Sequence, residues 1–340
     1  MLDISALNKY DKSGMSKIYD RWPDLAEEFY DSDCGKVEYK GINHIVFVGM
    51  GGSGVIGDIL SSIISKTTTH LCVVKGYHLP ATVDSRTLVV TTSVSGNTLE
   101  TLTVIDKAKK TGCNITAFSS GGKLEEYCKK NRIEHRNIPM LNSPRASLPA
   151  YLYSILNVLG PLIPTKRSDI MESISSLKKI RAQISSYNLN KTNPSIDLAS
   201  WLSETALIYY PAGLQAAAIR FKNSLQENSK MHAFAEDIIE ACHNGIVSWE
   251  RPSKIRPVLI QGRDDYIKTK ELWKVVKEYF KINKIDYKEV NSTEGSILSK
   301  IMNLIYLLDY ASIYSAIIRG IDPTPVKSID FIKERLNTIK

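Results

Sequence analysis

The chain has 340 residues, of which 43% are apolar, and carries a formal net charge of +8 with a pI near 9.0. That length points to two domains or two fused halves, and that apolar share excludes global disorder. The basic excess lies on ordinary helix faces such as "IDKAKK" and "IKTKELWKVVKEYFKINK", with no Lys/Arg block interleaved with aromatics, so no nucleic-acid partner is expected.

Residues 1–40 read as a polar helical segment, with Ile18, Trp22, Leu25, Phe29 and Tyr30 at roughly helical spacing. An alternation then begins. "HIVFVG" predicts a buried strand, Val55 to Ser65 a helix, and "HLCVVK" and "TLVVTTS" two more strands. Thr98 to Lys110 predicts a helix, and "NITAFS" and "EHRNIP" continue the strands. Such alternation implies βαβ units around a parallel sheet, and runs apolar on both faces fit strands covered by helices on each side. This first half spans 41–150. A helical connection is expected over 151–200, from "SLPAYLYSILNVLG" onward.

A second alternation spans 201–320. "TALIYYP" predicts a strand and "GLQAAAIRFKNSLQEN" a long helix. "GIVSWE" and "RPVLIQGRDD" supply one strand or more, Ile267 to Phe280 a helix, "DYKEVN" a strand and Ser296 to Arg319 a long helix. A last helix, Val326 to Leu336, falls in a C-terminal segment, 321–340. The halves share element order but no sequence repeat. The five cysteines are odd in number and form no C-x-x-C, which suits a reducing compartment without disulfides. "MLDISALNKYDKSGM" lacks a basic region followed by an apolar core, and no unbroken apolar run nears ~20 residues. The expectation is a cytoplasmic protein with no signal peptide and no membrane span.

Gly49, Gly51 and Gly54 spell G-x-G-x-x-G between the first strand and its helix. A glycine turn lets backbone N–H groups at a helix start approach an anion. A dinucleotide site also needs an acid at the end of the next strand, and that strand ends on Lys75. No G-x-x-x-x-G-K-[ST] is present either. "TTSVSGNTLETL" competes better, since Ser93, Ser95, Asn97 and Thr98 share one strand-to-helix turn with Gly96 for the bend. One hydroxyl there would be an N-cap. Three within six residues, beside a Gly-Gly-Ser turn, point to a phosphate monoester held at the carboxyl ends of the strands. The six histidines form no H-x-x-x-H or H-E-x-x-H. His232, Glu236, Glu240 and His243 would share a face if helical, as a zinc site could use, but no jelly-roll pattern surrounds them. No metal or other cofactor is expected.

The strand followed by S-x-S-G-N-T resembles the sugar isomerase (SIS) fold. Taken together, "VGMGGSG", "SVSGNTLET", "SSGGKL", "NSPRASLP", "RFKNSLQENSK", "EDIIEACHNGIVSWE" and "IIRGIDPTPVKSIDFIKERL" resemble the bifunctional phosphoglucose/phosphomannose isomerase family over residues 41–336. The resemblance implies two SIS-type doubly wound α/β subdomains, each with a central parallel sheet flanked by helices. It also implies a homodimer with the active site near the subunit interface. The implied reaction is metal-free exchange of glucose 6-phosphate and mannose 6-phosphate with fructose 6-phosphate through a cis-enediol, with sugar phosphates as the partners.

The resemblance places Gly51, Gly52 and Ser53 in the first turn, and Ser93, Ser95 and Thr98 in the phosphate turn. It assigns Arg145, Glu227, His243 and Lys333 to catalysis and Thr324 to the substrate. Cys242 stands where the family has the first of two histidines, and two extra residues separate Thr324 from Lys333. The chemistry suits these residue types. A carboxylate moves the proton between C2 and C1, a fixed cation steadies the enediolate, and a histidine serves ring opening near neutral pH. Other readings are a SIS-type regulator that binds phosphosugars without chemistry, an isomerase for glucose 6-phosphate alone, and an aminosugar isomerase. A regulator would not need Glu227, Arg145 and His243 together.

Overall fold

The alternating segments build two all-parallel sheets, of order β2-β1-β3-β4-β5 and β7-β6-β8-β9. The computed structural model describes residues 2–338, so the outer ends of the segments set at 1–40 and 321–340 lie outside the described residues. Three helices open the chain: α1 (Ile4–Tyr10), α2 (Met15–Asp20) and α3 (Trp22–Asp31). They form a core layer, with Met15, Tyr19, Trp22 and Leu25 buried and Trp22 stacked on Tyr19.

The first sheet holds β1 (His44–Val48), β2 (His70–Val74), β3 (Thr87–Ser93), β4 (Asn114–Ser119) and β5 (Glu134–Asn137). Helices α4 (Gly51–Ile64), α5 (Leu99–Lys109) and α6 (Gly122–Asn131) connect them. Every residue of β1 and β3 is buried, because helices cover both faces of the central strands. Strand order reverses between β1 and β3. Their carboxyl ends therefore frame the crevice where open α/β sheets take ligands, and both candidate turns start there.

Helices α7 (Leu148–Val158), α8 (Arg167–Ile184) and α9 (Pro194–Trp201) lead to the second sheet. It holds β6 (Thr205–Tyr210), β7 (His232–Asp237), β8 (Arg256–Gln261) and β9 (Lys288–Asn291). Its helices are α10 (Gln215–Ser229), α11 (Ile238–Ala241) and α12 (Ile267–Ile282), followed by α13 (Ile297–Ile318) and α14 (Lys327–Thr338). One hydrophobic core runs through both sheets, from Phe47 and Val90 to Ile208 and Val258. Helix α13 passes through it, against α8, α9 and α10. By length and composition α13 could cross a bilayer, but 89% of its apolar window is buried inside the protein.

Two elements differ from the sequence reading. "GIVSWE" is a 3₁₀ turn, Gly245–Glu250, not a strand. Trp249 explains the difference, since its indole is buried and donates to Tyr209 Oη at 2.9 Å. The unexpected strand is β7, which pairs with β6 in register from Thr205–His232 to Tyr210–Asp237.

Candidate active site

The two helices that start at the β1/β3 crevice have no side-chain cap. Met50 precedes α4 and makes no capping bond. Thr98 occupies the N-cap position of α5, yet its hydroxyl bonds Ser93 Oγ at 2.8 Å instead of the helix backbone. The first-turn N–H groups of both helices are thus free of side-chain acceptors, and each carries the positive end of a helix dipole. Ser93 and Ser53 are buried, while Ser95 and Thr98 are half-buried. The glycines of the first turn also serve close packing. A Cβ on Gly54 would lie 2.8 Å from the Gly49 carbonyl oxygen. Lys75, where a dinucleotide site wants an acid, is held by Asp58 of α4 at 2.6 Å.

Arg145 is the most constrained charged group near this crevice. Its side chain is only 5% exposed. Nε donates to Asn228 Oδ1 at 2.7 Å and Nη1 to Glu227 Oε2 at 3.2 Å. Nη2 donates to the carbonyls of Pro323 at 2.7 Å and Thr324 at 2.8 Å. One guanidinium therefore ties together the last turn of α10 and the approach to α14. Behind it, Arg220 Nη2 donates to the Arg145 carbonyl at 2.7 Å. Arg220 is itself clamped by Asp309 of α13 at 2.6 Å, with both side chains buried.

A cavity of about 780 Å³ opens beside this pair. Gly51, Glu227, Lys230, His232, Asp322 and Lys327 are among its lining residues. Thr324 reaches the site through its carbonyl, and its buried hydroxyl has no partner. The structure thus brings Gly51, Arg145, Glu227 and Thr324 together, with Gly52 against Arg145. Ser93, Ser95 and Thr98 stand across the β1/β3 crevice and are not in the cavity wall. His243 is exposed, beyond the far end of β7 from His232. Lys333 is exposed on α14, and Lys327 is the α14 lysine in the wall.

Sequence reasoning passed over Lys230, although it closes the same "QENSK" run as Glu227. Burial, and then the Arg145 charge, lowers the Lys230 pKa. The helical face weighed and set aside for His232, Glu236, Glu240 and His243 does not form, because His232–Asp237 is a strand. Among the described residues no three His, Cys, Asp or Glu side chains gather as metal ligands.

Comparison with known proteins agrees with this architecture. A family model described as "SIS domain" matches residues 38–145, and one described as "Bacterial phospho-glucose isomerase C-terminal SIS domain" matches 191–336. A bifunctional phosphoglucose/phosphomannose isomerase of Caldicellulosiruptor bescii is 33% identical over 89% of this chain and 92% of its own. A D-glucosamine-6-phosphate 4-epimerase of Sulfolobus acidocaldarius is 30% identical over 72% of this chain and 77% of its own. The C-terminal domain of a glucosamine-fructose-6-phosphate aminotransferase from Francisella tularensis shares the fold, with a TM-score of 0.68 at 18% identity. That match covers 92% of this chain and 98% of that one.

Two parallel sheets, each matched by a SIS model, define a double-SIS protein with its turns at the strand-order switch. Within that class, the chain belongs to the bifunctional phosphoglucose/phosphomannose isomerase family.

Proposed function

We propose that this protein is a metal-independent aldose–ketose isomerase, exchanging glucose 6-phosphate and mannose 6-phosphate with fructose 6-phosphate through a cis-enediol. The observation that carries the reading is the Glu227–Arg145 pair, 3.2 Å apart, beside the cavity that the Gly51 turn shares. The phosphate sits at the uncapped starts of α4 and α5, against Ser53, Ser93, Ser95 and Thr98. Glu227 lifts the proton from the carbon beside the carbonyl and returns it to the neighbouring carbon. Arg145 is fixed before substrate arrives, so it offsets the charge growing on the enediolate oxygen without reorganising. Both aldoses give one enediol, and the small Thr324 leaves it room to turn.

Ring opening is assigned to His243 of a second copy. Within one chain, β7 separates His243 from the cavity edge at His232 by about 17 Å of strand rise. Exposed Ile239 and Val247 lie four residues either side of His243 in the chain, apolar surface suited to a homodimer with the site near its interface. Lys333 stands off the cavity of its own chain and is not assigned to it. The cysteines are free, which suits a cytoplasmic location.

A coupled assay with each aldose phosphate, with and without EDTA, tests the proposal. Fructose 6-phosphate should form from both and be unaffected by the chelator. Formation from neither overturns the isomerase reading, and loss with EDTA overturns its metal independence. Glucosamine 6-phosphate is the control for epimerase chemistry.

A further inference from the structure

Lys230 ends α10 in the left-handed region, at φ 54°. Helices that end this way favour glycine there, because a side chain at positive φ costs free energy that glycine does not. Arg132 and Lys284 follow helix ends with nearly the same φ, so the contacts of the Lys230 ammonium are what set it apart. Here the ammonium donates to the Glu227 carbonyl at 2.6 Å, one of those the helix end leaves open. It also donates to the Pro323 carbonyl at 3.4 Å. Arg145 Nη2 donates to the same Pro323 oxygen at 2.7 Å. Two cations therefore converge on one carbonyl of the segment that leads into α14, and Lys230 lines the cavity as well.

We propose that Lys230 is a positioning residue: it clamps the end of α10, which carries Glu227, to the Pro323–Thr324 segment and so holds the Glu227–Arg145 pair in register. Its effect on rate rests on the isomerase reading above, whereas the clamp itself does not. Without the ammonium, segment 322–327 loses one of its two cationic anchors, and Arg145 loses a fixed acceptor. Misplacing a reacting group by about 1 Å can cost roughly 10²-fold in rate. The phosphate turns lie on the other half, so substrate affinity should change little.

Lys230→Met and Lys230→Arg test this, because both keep a long side chain on the same backbone. Hydrogen exchange reports the clamp at residues 322–327, and kcat and KM for fructose 6-phosphate report its consequence. Lys230→Met should speed exchange there by about 10-fold. It should also lower kcat roughly 30-fold with KM changed less than about 3-fold. Lys230→Arg, which can reach both carbonyls, should restore both readouts. Unchanged exchange in Lys230→Met overturns the clamp. Faster exchange with unchanged kcat makes it a brace only and overturns the positioning role, as does an arginine variant as impaired as the methionine one. If the wild type turns over no sugar phosphate, the isomerase reading fails while exchange still decides the clamp.

Discussion

Glu227 and Arg145 show how a residue's role depends on partners far away in sequence. The glutamate sits near the end of an amphipathic helix, where most glutamates are solvated. Only the guanidinium contributed 82 residues earlier separates it from that ordinary case. In the proposed role of proton carrier, Glu227 should be replaceable for binding but not for turnover. Glu227→Gln keeps the shape and removes the base, so kcat should fall by roughly 10³-fold. Calorimetric affinity for fructose 6-phosphate should stay near that of the wild type. Turnover close to normal in that variant would end the base assignment. Arg145 was visible in the sequence as a cation before a helix, but its burial was not. Its acceptors come from Glu227, Asn228, Pro323 and Thr324, and no local pattern announces such a convergence.

At the level of elements, legibility followed the strength of the local signal. Strands β1 and β3 are buried throughout, and the runs Ile45–Val48 and Leu88–Val90 mark them in the sequence. Strand β7, "HAFAED", sits at the sheet edge with His232 and Phe234 exposed, and helical spacing follows it directly. Its period is ambiguous until β6 pairs with it. The Ser93–Thr98 turn was legible because its constraint is written in glycine. Gly96 has φ +69°, and a Cβ there would lie 1.8 Å from the Gly121 carbonyl oxygen. The turn is sewn to the start of α6 by Leu124 N–H to the Gly96 carbonyl, 2.9 Å, and Lys123 N–H to Asn97 Oδ1, 3.2 Å. Gly96→Ala must therefore move two loops at once. It should lower unfolding stability by roughly 3 kcal/mol in urea titration. Phosphosugar affinity should fall with it. An unchanged urea midpoint would show that the two loops move independently.

At the scale of the whole molecule, the proposed ring-opening role of His243 turns on which copy brings it to the site. A single core joins both sheets, so the halves do not swing freely to bring it closer. Among the described residues of helix α14 none is buried, and Phe331 and Ile332 are more than half exposed. Exposed apolar side chains thus stand on α14 and, at Ile239 and Val247, four residues either side of His243 in the chain. If each site takes Glu227 from one copy and His243 from the other, the two defects can complement. Glu227→Gln and His243→Ala homodimers should each be inactive. In a mixed dimer, one site collects both substitutions and the other neither. Unfolding and refolding equal amounts together gives half mixed dimers, each with one intact site, so about a quarter of wild-type activity should return. If both residues serve the site of their own chain, every site in the mixture carries one defect, and no activity returns.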